Sequence, residues 1–262
     1  MSAAASFRIV IPARFGSTRF PGKALAMLAG RPMLQWVYER ACGSQAAEVL
    51  VATDDERIAA ACRSFAAPVE MTSAAHRSGT DRIAEVAQRR SWSDAAIVVN
   101  VQGDEPMIAP RSIDQVAALL QADTAAAIAT LVTPIQSAAE LRDANVVKVV
   151  VDASSRALYF SRAPIPFDRD AALALSSHGV GGACGAPAGA LRHIGIYAYR
   201  VSALRQLAAA PVDLIEDIEK LEQLRALRLG MTIRIENSSE VPAGDVNTPA
   251  DLTRLEQMLT RR

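Results

Sequence analysis

Phe7-Arg8-Ile9-Val10-Ile11-Pro12 is a short apolar run that ends on a proline, and the rest of the chain is read outward from it. A continuous apolar run of this length bounded by a turn residue fits a strand buried on both faces. Residues 48–53 (EVLVAT) and 96–102 (AIVVNVQ) have the same character. Helix-like stretches lie between and beyond these runs, at 32–41, 55–65 and 80–90. Asp54 or Asp55 suits the cap of the second, and Ser78 or Thr80 that of the third. Strands alternating with helices imply parallel pairing through right-handed crossovers, hence an α/β layered fold.

Further along, 112–120 reads as a helix, and 125–132, 146–151 and 194–199 as strands. Residues 216–229 (EDIEKLEQLRALRL) predict one helix stopped by Gly230. A strand at 231–236 and a last helix over 248–260, begun by Thr248-Pro249, complete the series. Residues 170–191 are rich in Ala, Gly and Ser and are expected to form a mobile surface loop. The expectation is one domain over 1–262, with an insertion at about 140–210 forming a lid or dimerisation arm.

Composition narrows the function classes. The 262 residues are 50% apolar, and 28 Lys and Arg balance 28 Asp and Glu. A balanced chain lacks the basic excess of a nucleic-acid binder and the charge imbalance of a disordered one. No apolar run reaches the ~18 residues of a membrane span, and the first run is too short for a signal peptide. Cys42, Cys62 and Cys184 are odd in number and widely spaced, which favours reduced structural thiols, with Cys42 and Cys62 as small core residues. A cytoplasmic enzyme or binding protein is expected.

The richest segment follows the first strand. Residues 12–23 (PARFGSTRFPGK) hold Arg14, Arg19 and Lys23 with Gly16, Gly22, Ser17 and Thr18. Loops at strand carboxyl ends are where open α/β sheets bind ligands, and these cations suit a polyphosphate. The spacing is neither a Walker A loop, since Ala24 follows Lys23, nor a GxGxxG fingerprint. That absence counts against a nicotinamide-dependent oxidoreductase. Gln102-Gly103-Asp104-Glu105-Pro106 follows another strand: Asp104 can hold Mg²⁺, or the stretch is simply a turn. His76-Arg77-Ser78-Gly79-Thr80-Asp81-Arg82 is either a helix cap with a free His or a phosphate-reading helix start. His193 and Tyr197, four apart, would share one face of a strand, and Arg162 offers a fork for a carboxylate. A structural role for the histidine stays open at this point.

Together these segments resemble the 3-deoxy-manno-octulosonate (Kdo) cytidylyltransferases. The likeness runs from IPARFGSTRFPGKAL through ATDDERI, HRSGTDRIAEV, VNVQGDEPMI, NVVKVV, ALYFSRAPIPFDRD, LRHIGIYAYR and LEQLRAL to VNTPADL. It implies a Rossmann-like nucleotide-diphospho-sugar transferase fold, with a mostly parallel sheet, helices on both faces and a dimeric assembly. It implies transfer of CMP from CTP to Kdo with Mg²⁺, releasing pyrophosphate, as a soluble step in lipopolysaccharide assembly. By resemblance, Arg14, Ser17, Arg19 and Lys23 hold the triphosphate, and Ser78, Gly79, Thr80 and Arg82 belong to the nucleotide pocket. Gln102 sits between nucleotide and sugar, and Asp104 binds metal. Arg162, His193, Tyr197, Glu222 and Gln223 match positions that face the acidic sugar. One departure stands out: Asn247 replaces the aspartate of the family's GVDTP motif, a metal ligand. Asp245, two residues earlier, is expected to restore the charge. The competing expectations are a cytidylyltransferase for sialic acid or 8-amino-Kdo, and a non-catalytic nucleotide-binding regulator.

Overall fold

The computed structural model of this chain describes residues 6–16, 20–170, 186–240, 246 and 248–260. In chain order the first half gives β1 (Phe7–Ala13), β2 (Met27–Leu28), β3 (Arg31–Pro32), α1 (Met33–Cys42), β4 (Glu48–Thr53), α2 (Glu56–Ser64), β5 (Val69–Met71), α3 (Gly79–Arg89) and β6 (Ile97–Asn100). The second half gives α4 (Pro110–Ala122), β7 (Ile128–Pro134), α5 (Ala138–Arg142), β8 (Lys148–Val151), β9 (Ala157–Ser161) and β10 (Leu191–Arg200). It closes with α6 (Val201–Ala209), α7 (Leu214–Glu219), α8 (Gln223–Arg228), β11 (Ile233–Asn237) and α9 (Pro249–Thr260).

The main sheet runs β11-β7-β10-β6-β1-β4-β5, and β8 joins β10 to β9. β1 pairs in parallel with both β4 and β6, β4 with β5, and β11 with β7. β10 runs antiparallel to β6 and β7, and β9, antiparallel to β8, shares its reversed direction; the rest of the sheet is parallel. The apolar runs explain the layering. Ile9, Val10 and Ile11 are wholly buried, because β1 is covered on both faces. One face packs on α1, α2 and α4 through Leu34, Val37, Ile58, Ile113, Val116 and Leu120. The other packs on α3, α6 and α8 through Ile83, Val86, Leu204, Leu207 and Leu224. Helices therefore lie on both faces, as the resemblance implies.

The caps settle two alternatives. Asp55 caps α2 by accepting from the Arg57 N–H. Ser78, not Thr80, caps α3 in a reciprocal box with Asp81.

Four expectations are corrected or fall outside. The single helix over 216–229 is two helices, α7 and α8, parted at Lys220, whose backbone is left-handed at φ 54. Tertiary contacts override the helical pattern there: the Glu219 carbonyl accepts from Arg162 Nε at 2.7 Å, and its carboxylate takes the Ser161 hydroxyl and the Arg162 N–H. The break also turns Leu221 into the core. The insertion expected to reach about 210 is shorter. β10 sits mid-sheet between β6 and β7, and α6 packs in the core, so 191–209 belong to the main body. Cys62 is a buried core thiol, but Cys42, at the last turn of α1, is exposed. Most of the loop expected at 170–191, with Cys184, lies outside the described residues.

Candidate active site at the β1–β6 crevice

The sheet order sets the site. From β1 the chain moves outward to β4 and β5, then returns to place β6 on the other side of β1. The loops leaving β1 and β6 diverge at that switch point, and the crevice between them is where such sheets take ligands. Two glycines let the crevice close. A Cβ on Gly103, in the turn after β6, would stand 3.1 Å from the Pro12 carbonyl oxygen, and one on Gly79 would stand 3.0 Å from Pro12 Cγ. Only residues without side chains let both backbones press on the end of β1.

The loop after β1 is drawn shut at its neck. The Gly22 N–H donates to the Phe15 carbonyl at 3.0 Å, and Gly22 is left-handed at φ 71. The Phe15 ring lies against it, with Arg57 stacked on that ring at 3.3 Å. Arg14 is exposed at the loop's start. Ser17 and Arg19 lie outside the described residues. Lys23 folds back and its ammonium pairs with the Asp104 carboxylate, the two side chains being 16% and 26% exposed. The proposed phosphate lysine and the proposed metal aspartate thus meet directly, with both still open to the crevice.

Asp104 has a second tie. Its carbonyl accepts from the Val246 N–H at 3.0 Å, and Val246 is buried beside Leu28, Met33 and Leu255. The C-terminal segment is therefore docked at Asp104. Asp245 and Asn247, the covalent neighbours of Val246, lie outside the described residues. Gln102 is half-buried and its carbonyl accepts from the Glu105 N–H at 3.2 Å.

The start of α3 borders the same crevice. Ser78 is committed to its cap, and Thr80 is buried with its hydroxyl bonded to Tyr199. Arg82, 3% exposed, bonds Asp54 at 2.9 Å and the Thr72 hydroxyl, which ties α3 to the end of β4. His76 is not free: its ring pairs with Glu85.

Beyond β6 an aromatic row runs along β10. His193 meets Tyr197 at 5.1 Å and Phe160 edge-on at 5.2 Å, and Tyr197 meets Tyr199 at 5.6 Å. His193 and Tyr197 do share a face, although β10 bulges between Ile194 and Tyr197. Burial, then the charge of Arg192, pushes His193 down to about 3, so the ring is neutral near pH 7. Burial raises Tyr197 well above the usual phenol range, with Tyr199 and Glu222 adding to it. Glu222 precedes α8, 3.6 Å from Arg225, and Gln223 opens that helix, half-buried. The bulge connects this row to the first half of the site, since a Cβ on Gly195 would lie 3.7 Å from Glu105 Oε1.

Arg162 is placed differently from the expectation. Its Nε donates to the Glu219 carbonyl at 2.7 Å, NH1 to Ala144 at 2.8 Å and NH2 to Lys220 at 3.5 Å. The fork grips backbone carbonyls here. Two residues escaped the sequence reading. Lys148 is wholly buried, and its ammonium donates to the carbonyls of Asp143, Val146 and Arg162 at 2.9, 2.6 and 2.5 Å. Burial lowers its pKa. Asn100 ends β6 opposite Tyr197, and its Oδ1 is buried with no hydrogen-bond partner among the described residues. A buried lysine in a valine run and an Asn ending one were visible as polar breaks in apolar strands.

Fold and site together define a nucleotidyltransferase. A family model for cytidylyltransferases matches residues 8–233. The 3-deoxy-manno-octulosonate cytidylyltransferase of Thioalkalivibrio sulfidiphilus (strain HL-EbGR7) is 49% identical, over 97% of this chain and 99% of that one. That of Pseudomonas syringae pv. syringae (strain B728a) is 50% identical, over 97% and 98%. Among solved structures, a CMP:2-keto-3-deoxy-manno-octonic acid synthetase complexed with CTP matches with a TM-score of 0.87 and 41% identity, over 98% of this chain and 99% of that one. A cytidylyltransferase from Leptospira borgpetersenii serovar Hardjo-bovis (strain JB197), at 15% identity and a TM-score of 0.62, shares the fold. The chain belongs to the 3-deoxy-manno-octulosonate cytidylyltransferase family.

Proposed function

We propose that this protein transfers CMP from CTP to Kdo and releases pyrophosphate. The observation that carries the reading is the Lys23–Asp104 pair at the β1–β6 switch point, in a chain about half identical to synthetases of that name over nearly its whole length. The sugar's anomeric hydroxyl attacks the α-phosphorus in line. The new O–P bond forms as the bond to the β-phosphate oxygen breaks, the electron pair leaves with pyrophosphate, and the hydroxyl proton passes to solvent. Such a transfer depends on positioning and charge stabilisation. Lys23, Arg14 and Arg19 offset charge on the triphosphate, and α3 presents its positive end to the nucleotide.

Mg²⁺ is the proposed cofactor. It is commonly held by one or two carboxylates plus substrate phosphates. Asp104 fits that pattern: its carboxylate is partly open, and no cluster of three or more acidic, His or Cys side chains forms an all-protein cage among the described residues. Asp104, with Asp245 and Asn247, would hold the ion, and bound there it would supply charge stabilisation to the phosphate oxygens.

On the sugar side, His193, Tyr197, Glu222 and Gln223 supply neutral and polar contacts. Arg162 NH2, whose bond to Lys220 is long at 3.5 Å, is the donor for the sugar carboxylate. We further read the protein as a cytoplasmic homodimer serving lipopolysaccharide synthesis. Leu214 and Ile218, one turn apart on α7 and 73% and 72% exposed, support self-association. No helix among the described residues is long and apolar enough to cross a membrane.

The test is pyrophosphate release from protein given CTP, Mg²⁺ and Kdo, with sialic acid and 8-amino-Kdo in parallel. Release with Kdo is expected. Release with another sugar alone would move the specificity. CTP binding with no release from any sugar would overturn the assignment in favour of a regulator.

A further inference from the structure

Thr130 lies on β7, wholly buried, beneath the bulge in β10. The bulge leaves Gly195 and Ile196 without register partners on β7, because Ile194 faces Leu131 and Tyr197 faces Thr130. Two carbonyls turn toward the threonine as a result. Thr130 Oγ1 stands 2.7 Å from the Ile196 oxygen and 3.1 Å from the Ile194 oxygen. The third group on the same Oγ1 is His193 Nε2, at 3.0 Å.

Proton counting then assigns the ring. A hydroxyl carries one proton and two lone pairs, and a carbonyl oxygen only accepts. Two oxygens 2.7 Å apart in a buried site repel unless a proton lies between them, so the threonine donates to the Ile196 carbonyl, sharing with Ile194. With its proton committed, Oγ1 can only accept from Nε2. Nε2 therefore carries the hydrogen. The ring is neutral in its buried surroundings, so Nδ1 has none. No described group bonds Nδ1, and the ring also meets Phe160 edge-on at 5.2 Å and Tyr197 at 5.1 Å.

We propose that Thr130 is a positioning residue that holds His193 as the Nε2–H tautomer, so that Nδ1 meets the sugar as an acceptor for one of its hydroxyls. This rests on the reading of His193 as a sugar-facing residue. It divides the work of recognition: the imidazole reads a hydroxyl and cannot serve as a cation for the carboxylate, which falls to Arg162.

The experiment is a long-range ¹H–¹⁵N correlation spectrum of the histidine rings in the full, substrate-free protein. The chain has three histidines, and His193→Asn identifies the signal. The wild type is expected to show the Nε2–H pattern, unchanged between about pH 8 and pH 5. Thr130→Val keeps the shape and removes the hydroxyl. It should mix the tautomers and raise KM for Kdo about tenfold, with KM for CTP unchanged. Thr130→Ser should restore both. An Nδ1–H pattern in the wild type, or titration of this ring near the usual histidine range, would overturn the proposal. So would a Thr130→Val protein with tautomer and sugar KM both unaltered. If that variant fails to fold, the wild-type spectrum and Thr130→Ser still decide the tautomer. The Nε2–H pattern in protein that makes no pyrophosphate with Kdo would overturn the sugar reading on its own.

Discussion

The two ends of the site handle charge in opposite ways. At the β1–β6 crevice, Lys23 opens a single 3-10 turn and Asp104 lies in the turn after β6; both are partly exposed and they neutralise each other through an ion pair. Around β8 and β9, Lys148 and Arg162 are held by backbone carbonyls, and the neighbouring ring of His193 is neutral. An ion pair open to a crevice can be broken by an incoming polyanion or cation at little net cost, because water and ligand replace what each partner loses. A buried ammonium cradled by three carbonyls has no such substitute. On the proposed function, the first region serves the charged triphosphate, and the second holds the shape of a sugar pocket in which Arg162 NH2 alone is left to meet a carboxylate.

The two lysines should therefore fail in different assays. The largest effect expected is on Lys23→Ala: a loss in kcat/KM equivalent to about 3–4 kcal/mol, with the unfolding midpoint nearly unchanged. Near-normal turnover would remove Lys23 from the mechanism and break the comparison at its first half. Lys148→Met should do the reverse. With carbonyls of Asp143, Val146 and Arg162 left unpaired, stability should fall by about 2–4 kcal/mol in urea unfolding. An unchanged midpoint would show that the carbonyls find other partners.

A smaller effect sharpens the second half. His193 has its folded-state pKa depressed from 6.5 to about 3. For a base held below its unfolded value, the unfolded chain binds the extra proton first, so the contribution is neutral above about 6.5 and destabilising as pH falls toward 3. The wild type should therefore lose stability relative to His193→Asn across that window, with a slope approaching about 1.4 kcal/mol per pH unit. Parallel unfolding curves for the two proteins from pH 7 to pH 4 would mean the ring titrates normally.

Local signals carried much of the architecture. Runs such as FRIVIP and EVLVAT are apolar on both faces, which only a covered parallel strand requires, and β1 and β4 follow them closely. Asp55 and Ser78 cap helices because their side chains reach the orphan N–H groups two or three residues on, a purely local matter. The 216–229 segment failed for the opposite reason. Its helical period is genuine, but Arg162 and Ser161, more than fifty residues earlier, claim Glu219 and break the helix.

The candidate site divides in the same way. The basic loop at 12–23 and the aspartate after β6 were legible because charge and glycine cluster visibly at the ends of apolar runs. That Lys23 reaches Asp104, 81 residues away, is a consequence of sheet order. So are the docking of Val246 on Asp104 and the capture of Arg162 by Glu219. The chain by itself determined the layers and the family, since these depend on residue type and on spacing along one segment. Tertiary structure alone decided which charges stay partly exposed, which are held by carbonyls and which groups surround His193. Those depend on where distant backbone oxygens end up, and a one-dimensional pattern does not encode that distance.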